Sequence, residues 1–476
     1  MLSARNALAT VLVSATVGCA IGPDYHRPDL PTPSAFRDQP EGSASLADLP
    51  WWEVFRDETL VALIRESLAS NRDLAIAAAN VERARYLAAV QRSAFLPQLS
   101  YEVDATRGKD TTLGNPSPVG RGTESDFLAM ANLAWEIDLW GRIRRASEAA
   151  RGELLASEAF RRGVVLSLVS SVAQAWFELC ELERELAIAR ESVASYQQTH
   201  DLFHRQFSGG VTSKLDVLRA VAALAQASAT AADLERQIVA KENELSVLIG
   251  RPAGAIEHDR TLEAQSMPPD VPAGVPSQLL ERRPDLIQAE QTLVAANARE
   301  GQALADFFPR IGLTSLAGSV STELHDLLTS GTGFWAIGAA ATGRLFTFGL
   351  TTYTWKAAQA ESDARRAVYA GALLDALREV SDELTAREKL VTVRVEQERA
   401  VTALRESVGM SQKRYVGGLA TYLEVLDAQQ ELYPAAFELA RTERDQLLVV
   451  VRLYRALGGG WNAYEEMPSV PPPIAP

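Results

Sequence analysis

The sequence predicts a mainly α-helical protein with a small β part, in which one elongated unit occurs twice. Residues 205–220 recur at 413–428, an offset of 208 residues, and each copy contains a Gly-Gly pair. Residues 95–97 recur at 307–309, an offset of 212, where helical spacing gives way to alternating polarity. Because both offsets persist over long stretches, each half of the chain is one supersecondary unit copied whole.

The duplication and the proline content divide the chain into six segments. Each repeat is expected to contain a helix, a β-hairpin and a long helical hairpin, in that order. The proline-rich stretches outside the repeats cannot remain helical or extended in a sheet, because proline lacks a backbone donor. The segments are a signal peptide (1–18), a lipid-anchored extended strap (19–56), the first repeat (57–251), a linker (252–276), the second repeat (277–460) and a disordered tail (461–476).

The first residues have the pattern of a bacterial lipoprotein signal. One positive charge, Arg5, precedes an apolar stretch that ends at Gly18 and Cys19. Cleavage before Cys19 would allow acylation, by palmitate among other chains, and so anchor the mature protein to a membrane. Ala20 rather than aspartate follows the cysteine, which favours the outer membrane. The alternative is an ordinary cleaved signal with an unrelated cysteine.

Charge and hydropathy narrow the possible surroundings of the chain. A net charge of −14 and a pI near 5.1 argue against nucleic acid, which needs a basic patch. After the signal no transmembrane helix is expected, because residues 163–177 are uncharged but too short and rich in serine. A membrane would therefore be crossed by strands. Cys180, in a helical stretch, is expected to be a buried apolar residue.

Four segments alternate in polarity in the manner of membrane-spanning strands. They are residues 99–106, 127–138, 311–320 and 334–345. About ten residues per strand matches the thickness of a bilayer. In the first hairpin one face is apolar and the other acidic, so the acids are expected to face the interior of a barrel. These acids are Glu102, Asp104, Glu136 and Asp138.

Helices are expected before and after each hairpin. Residues 57–94 have the spacing of one helix, which Pro97 ends. Residues 142–207 contain no proline and would extend roughly 100 Å as a helix. Pro434 has no proline counterpart in the first copy, so a bend or interruption is predicted near it. Glycine adopts the positive φ that reverses a chain, so the hairpin tips are placed at Gly209, Gly210, Gly417 and Gly418.

Strand counting predicts an oligomer. Four strands cannot close a barrel, since single-chain outer-membrane barrels have at least eight. Open sheet edges in lipid would leave backbone groups without partners, so several chains must pool their strands. Three chains would supply twelve. The predicted fold class is mainly α with a small β part: duplicated coiled-coil hairpins and four transmembrane strands per chain, forming a trimeric 12-stranded β-barrel and an α-helical barrel.

Motifs spread along the whole chain resemble one family. They are Cys19-Ala20-Ile21-Gly22-Pro23-Asp24-Tyr25, Arg27-Pro28, Trp51-Trp52, Phe95-Leu96-Pro97, Asp138-Leu139-Trp140-Gly141, Phe307-Phe308-Pro309 and both Gly-Gly tips. In this order they resemble the outer-membrane factors of tripartite efflux pumps, the TolC- and OprM-like channels, within the lipoprotein branch of NodT type. Residues 343–349 depart from the family, since they lack the proline and acidic residue often found where the fourth strand becomes helix.

The resemblance implies a function and a set of partners. It implies a homotrimeric duct in outer-membrane lipid whose helical barrel crosses the periplasm. The duct would passively conduct drugs or toxic small solutes and so contribute to antibiotic resistance. It would receive them from an inner-membrane transporter of the resistance-nodulation-division (RND) class through a periplasmic adaptor protein.

The resemblance also places a gate at the periplasmic tips. It implies that Tyr415, Glu424 and Asp427 help to hold the entrance closed, and the repeat relates Asp216 to Glu424. Threefold symmetry would turn each acid into a ring of like charges that cations must offset. Ala420 replaces the family's arginine, so the donors of the closing network must differ. The alternative is a solvated acidic face.

Three other interpretations remain open from the sequence. His200 and His204 lie one helical turn apart and could share a metal, but no third ligand stands out and the zinc-hydrolase motif is incomplete. No catalytic residue, cofactor or resident metal is therefore expected. The same architecture serves type I protein secretion with an ATP-binding exporter. A non-conducting coiled-coil scaffold is the third, although it has no need of strands sized to a bilayer.

Overall fold

The computed structural model describes residues 20–36, 48–50, 54–113, 115–116, 122–258, 261–265, 274, 276–329 and 331–459. The predicted signal peptide, Cys19 and the predicted tail lie outside the described residues, as do Trp51, Trp52 and parts of the predicted linker.

Helices and strands follow one another in the same order in both halves of the described chain. The helices are α1 (Glu58–Ser70), α2 (Arg72–Ser93), α3 (Arg142–Ser208), α4 (Lys214–Leu248), α5 (Leu279–Arg282), α6 (Pro284–Ala305), α7 (Leu350–Val416) and α8 (Tyr422–Ala456). The strands are β1 (Gln98–Lys109), β2 (Thr111–Thr112), β3 (Asn115–Pro116), β4 (Thr123–Ile137), β5 (Arg310–Ser321) and β6 (Gly333–Thr342). Short 3-10 turns lie at Leu262–Ala264, Pro276–Gln278 and Leu324–Asp326.

The long helices and the strand register of the first half recur in the second half. α3 and α7 each contain 67 residues, and α4 and α8 each contain 35. Gln98 of β1 lies opposite Ala134 of β4, and the two sequence offsets carry this pair onto Arg310 of β5 and Thr342 of β6, which also lie opposite each other. The offsets of 212 and 208 residues therefore describe the backbone as well as the sequence.

The chain forms two compact units, and each draws segments from both repeats. The first takes in the sheet, and its described residues fall within 1–29, 79–158 and 288–370. The second takes in the helical tips, within 30–78, 159–287 and 371–476. Its core includes the fully buried side chains of Trp176, Leu245 and Tyr454. The Trp176 indole N–H donates to the buried Asp57 carboxylate at 3.0 Å, so this polar atom is satisfied within the core.

The single helix expected at residues 57–94 is instead two helices, α1 and α2, separated by Asn71. Asn71 is extended (φ −66°, ψ 134°), and its N–H donates to the Ser67 carbonyl at the end of α1. Its Oδ1 then accepts from the N–H groups of Asp73 at 2.9 Å and Leu74 at 3.1 Å, which caps α2. The second copy breaks at the equivalent residue, Arg283, just before Pro284. The expectation was wrong because one side chain ends a helix and begins the next.

The four predicted long strands form one antiparallel sheet in the order β1-β4-β5-β6. β1 extends to Lys109, beyond the expected end of the strand at residue 106, and the loop that follows it contains the two-stranded sheet of β2 and β3. β6 ends at Thr342 rather than at Leu345, because its partner β5 begins at Arg310, opposite Thr342. β1 and β6 are therefore the two edges of the sheet, and neither has a second strand on its outer side among the described residues.

α3 contains the one stretch of the described chain that is apolar and long enough to cross a membrane. Its most apolar 18-residue window has a mean hydropathy of 1.5, so this stretch passes by length and composition although the sequence predicted no transmembrane helix. However, 61% of the window is buried inside the protein, as in a core helix. Val172, Trp176 and Cys180 are completely buried, which also confirms the expected burial of Cys180.

The interruption predicted at Pro434 is absent, since α8 is one helix from Tyr422 to Ala456. Proline removes one backbone hydrogen bond and costs about 3 kcal/mol inside a helix. Leu432, Tyr433 and Ala436 around it are buried, and this packing keeps the helix intact through the proline.

Candidate functional site

Both helical hairpins reverse through the same hydrogen-bonded turn. Gly210 has φ +72° and Gly418 has φ +71°, the left-handed conformation that glycine adopts without strain. In the first turn the Val211 N–H donates to the Gln206 carbonyl at 2.8 Å. The equivalent bond in the second turn joins Leu419 and Arg414 at 2.9 Å. Each turn is a Schellman motif, which satisfies the last carbonyls of the incoming helix.

Asp216, at the first tip, is engaged in capping its own helix. The hydroxyl groups of Ser213 and Thr212 donate to its carboxylate at 2.6 and 3.1 Å, and the Asp216 N–H donates back to Ser213. The hydrogen bond from Ser213 lowers the pKa of Asp216, and the positive end of the helix dipole favours the same charge. The Ser-x-x-Asp spacing at 213–216 is a signal from which this capping box could have been predicted.

Glu424, the repeat equivalent of Asp216, has a different set of contacts. Thr421 occupies the cap position but makes no side-chain capping bond. Glu424 instead lies 3.5 Å from the Arg414 guanidinium, and both side chains are about half exposed. A pair this exposed contributes at most about 1 kcal/mol. Asp427 is exposed and has no ion-pair partner among the described residues.

Tyr415 joins α7 to α3. Its hydroxyl donates to the Gln206 side chain at 3.0 Å, and its ring packs edge-on against Tyr422 at 5.3 Å between centroids. Tyr422 in turn packs edge-on against Phe203 at 4.4 Å and hydrogen-bonds Thr199. Burial raises the pKa of Tyr422 to about 12, so this hydroxyl remains neutral at physiological pH.

A row of polar contacts continues from Tyr422 along the hairpin interface. Gln429 is 1% exposed, accepts from the Tyr422 hydroxyl at 3.3 Å and donates to Ser195 at 2.8 Å. Buried amide groups are costly unless their hydrogen bonds are made, so this row fixes the register of α8 against α3. We call the row the tip ladder: Ser195, Thr199 and Gln206 on α3, and Tyr415, Tyr422 and Gln429 on α7 and α8. Sequence reasoning identified only Tyr415; the seven-residue steps from Tyr415 to Tyr422 and Gln429 were the available signal.

The structure places the four predicted interior acids in two settings. Glu102 and Asp104 are two residues apart on β1, hence on one face of the strand. Glu136 receives two hydrogen bonds from the Arg142 guanidinium, at 2.7 and 2.8 Å. Asp138, just after β4, accepts from the N–H groups of Ile143 and Arg144 and so caps α3.

The described residues contain one group of three potential metal ligands, Glu323, His325 and Asp326, all in the loop between β5 and β6. The two ring nitrogens of His325 face different carboxylates, at 3.2 Å from Glu323 and 3.1 Å from Asp326. All three side chains are substantially exposed. At the His200–His204 pair, the His200 Nδ1 lies 3.1 Å from Asp201, and within the part of the chain that the structure describes these residues form no group of three potential ligands.

Comparison with known proteins identifies the family. Residues 63–251 and 275–459 match the model of the outer membrane efflux protein family. The solvent efflux pump outer membrane protein SrpC of Pseudomonas putida is 35% identical over 454 residues, which cover 94% of this chain and 96% of that protein. The cation efflux system protein CusC of Escherichia coli is 32% identical over 94% of this chain and 97% of its own length.

Solved structures agree with the sequence comparison. The open-state structure of the Neisseria gonorrhoeae MtrE outer membrane channel matches with a TM-score of 0.82 and 31% identity, over 93% of this chain and 98% of that one. The first matching stretch begins within α1 and ends just after α4, and the second begins just before α5 and ends just after α8, so each contains one hairpin tip. The chain therefore belongs to the outer membrane efflux protein family.

Proposed function

We propose that this protein is the outer-membrane exit duct of a tripartite efflux system and passively conducts small toxic solutes. The observation that carries the proposal is a four-stranded sheet whose two edges are unpaired among the described residues and which short segments join to 67-residue helices. An isolated sheet of this kind is not stable in lipid, whereas a closed ring of copies is. Membership of the outer membrane efflux protein family supports the same conclusion.

Three copies of the sheet would make a twelve-stranded barrel. The free edges are β1 and β6, so closure requires β6 of one copy to lie beside β1 of the next. Large apolar side chains alternate along both edges and are exposed in the single chain: Leu99, Tyr101 and Val103 on β1, and Trp335 and Ile337 on β6. Such an apolar band is what the lipid-facing side of an outer-membrane barrel requires.

Lipid attachment at Cys19 is part of the proposal. An acylated cysteine followed by a proline-rich strap would hold the chain on the outer-membrane leaflet beside the barrel. Incorporation of labelled palmitate into the wild type, and its loss in Cys19→Ser, is the expected result. Unlabelled wild-type protein would leave an ordinary cleaved signal as the explanation.

The hairpin tips are the proposed contact with a periplasmic adaptor and, through it, an inner-membrane RND transporter. Val211 and Leu215 at the first tip, and Val416 and Leu419 at the second, are exposed. Exposed apolar residues clustered at two symmetric turns are typical of a protein–protein contact. The names of the relatives mention solvent and cation efflux, so the duct is expected to accept chemically different cargo.

The proposed gate lies at the same tips. Opening would separate α7 and α8 from α3 and break the Tyr415–Gln206 hydrogen bond of the tip ladder. In the closed assembly, Glu424 and Asp427 would form acidic rings that Arg414 partly offsets.

Planar-bilayer conductance tests both the duct and its gate. We expect a small, cation-favouring current from the wild type and a larger one from Glu424→Ala/Asp427→Ala, with insertion verified for both. The matched control is Glu235→Gln, an exposed acid paired with Arg190 in the helical body. Equal currents in all three would keep the duct but move the gate elsewhere, and silence from all three would contradict conduction.

A further inference from the structure

A cluster of large apolar side chains is left uncovered where β6 leads into α7. Leu345, Phe346 and Phe348 are almost fully exposed, and Phe348 has φ +49°. A positive φ is uncommon for a bulky residue and is worth a structural explanation. Adjacent exposed aromatic residues usually mark a surface that another molecule covers.

The first repeat shows what the equivalent residue does when it is covered. Trp140 is the counterpart of Phe348 at the offset of 208 residues. Its ring stacks on Phe308 with centroids 4.9 Å apart and planes 27° apart, and its indole N–H donates to the Pro309 carbonyl at 2.8 Å. The segment that follows the hairpin of the first repeat is thus packed against the segment that precedes the hairpin of the second repeat.

The surface that corresponds to Phe308 and Pro309 in the first repeat is not covered in the same way. The counterparts of Phe308 and Pro309 at the offset of 212 residues are Leu96 and Pro97. The Leu96 side chain is 65% exposed. Two hydrogen bonds already fix the turn that carries it. The Leu96 N–H donates to the Ser93 carbonyl at 3.0 Å, and the Trp135 indole N–H donates to the Phe95 carbonyl at 2.9 Å. Phe348 and Leu96 are thus the repeat counterparts of two residues that are in contact, Trp140 and Phe308, yet both are exposed in the single chain.

We infer that Phe348 packs on Leu96 and Pro97 of a second copy of this chain, and that β6 pairs with β1 of that copy in the register set by the repeat. The inference rests on the proposed function for the assembly of copies and adds the residues and the register of their contact. A second copy is the occupant because the same contact already exists once within the chain.

The register follows from pairs seen in the sheet. Ile137 of β4 lies opposite Ile311 of β5, and the two offsets carry this pair onto Leu345 and Leu99 of the neighbouring copy. In the same way Thr342 is placed opposite the neighbour's Glu102. The offsets are reliable here because they convert the β1–β4 register into the observed β5–β6 register without error.

Side-chain polarity supports this register over its nearest alternatives. Leu345 and Leu99 are both exposed in the single chain and would cover each other in the pair. A slip by one residue would move one strand's apolar face to the side that carries Glu102 and Asp104. A slip by two residues keeps the apolar faces matched but separates Phe348 from Leu96. The contact of Phe348 with Leu96 is therefore compatible with only one of these registers.

Paired cysteines measure the register in membranes containing the full-length protein. The matched pair is Thr342→Cys with Glu102→Cys, and the offset controls combine Thr342→Cys with Ser100→Cys or with Asp104→Cys. Cys180 is buried and does not compete for the cross-link. We expect covalent dimers and trimers to form at least severalfold faster with the matched pair than with either control.

The outcomes separate this inference from the proposed function. Native mass spectrometry establishes whether the protein is trimeric. If it is, faster cross-linking of an offset pair, or equal rates for all pairs, would overturn the register but not the proposed duct. Protein that is monomeric in membranes would contradict the proposed function itself.

A double-mutant cycle tests the docking contact independently of the register. Phe348→Ala and Leu96→Ala should each lower the temperature at which the oligomer dissociates, and the double variant should lose no more than the larger single loss. Phe348→Leu should restore part of it. Leu328→Ala, an equally exposed residue in the loop between β5 and β6, is the control and should change nothing. Additive losses, or no loss from Phe348→Ala, would overturn the contact.

Discussion

A pair of buried carboxylates on α3 predicts how stability depends on pH. Glu181 and Glu185 are one helical turn apart and both about 4% exposed. Arg444 of α8 lies 3.3 Å from Glu181, and Arg441 lies 2.8 Å from Glu185. Burial raises the pKa of Glu181 from 4.5 to about 7, and the nearby Glu185 adds to this rise while the arginines oppose it.

Other charges limit how far the two arginines can compensate. Arg441 is shared with Glu438 at 2.7 Å, and Arg444 is shared with Asp445 at 2.9 Å. On α4, Lys241 is held by Glu178 at 2.8 Å and by Glu244 at 2.6 Å. Glu181 therefore keeps its proton at pH values at which an exposed glutamate has lost it.

The size and sign of the effect follow from linkage. A rise in the pKa of Glu181 from 4.5 to about 7 corresponds to about 3 kcal/mol, at about 1.4 kcal/mol per unit. Because the folded-state pKa lies above the unfolded one, this stabilisation is complete below about pH 4.5. It is lost as the pH rises through about 7. The contact between α3 and α8 should accordingly be firmest in acid.

Unfolding of the purified protein, followed from about pH 5 to about pH 8, measures this linkage. Glu181→Gln cannot ionise, so its free energy of unfolding should fall by about 2.5 kcal/mol less than that of the wild type across this interval, which begins above the unfolded pKa of 4.5. Glu235→Gln, an exposed acid paired with Arg190, is the control and should follow the wild type. Identical pH dependence in the wild type and Glu181→Gln, or stability that rises with pH only in the wild type, would refute the reasoning.

Three further predictions follow from single residues. Gly418→Ala should destabilise the protein by about 1–2 kcal/mol in chemical unfolding, because the φ of Gly418 is +71°. Gly409→Ala inside α7 is the control and should stabilise the protein by about 0.5–1 kcal/mol, because an added Cβ meets no atom within 4 Å. A reversed order of stability would contradict the assigned turn. Tyr415→Phe loses the hydrogen bond to Gln206 and should cost about 0.5–1.5 kcal/mol and raise the bilayer current, and an unchanged current would remove Tyr415 from the gate. Cys180 should react with a thiol reagent only after unfolding, since burial raises its pKa; labelling of native protein, read by mass spectrometry, would show that α3 opens there.

Long-range features of the fold could be predicted from the sequence because the duplication repeats them. The four strands, the long helices and both glycine turns follow from spacing that occurs twice. The features that sequence reasoning missed depend on side chains meeting across elements or ending them. Asn71 divides a helix by capping the next one, and Gln429 is buried only because Ser195 and Tyr422 satisfy it. Periodicity does not report such pairings.

The proposed gate residues show where the repeat does not predict side-chain contacts. Asp216 and Glu424 are equivalent in sequence, yet the first caps its own helix and the second pairs with Arg414. Equivalence under the repeat predicted the backbone but not the contacts of the side chains. The Ser213 side chain caps α4, whereas Thr421 makes no side-chain capping bond to α8.

The equal lengths of the paired helices limit which insertions and deletions the chain can accept. One residue added to α3 but not to α7 would advance its later part by about 1.5 Å and rotate it by about 100°, taking Gln206 away from Tyr415. Changes in length between relatives should therefore collect in the hairpin loops and the linker between the repeats. The difference of four residues between the two offsets already lies in the stretch that contains the hairpin loop. A helix in this protein can change its length only if its counterpart in the other repeat changes with it.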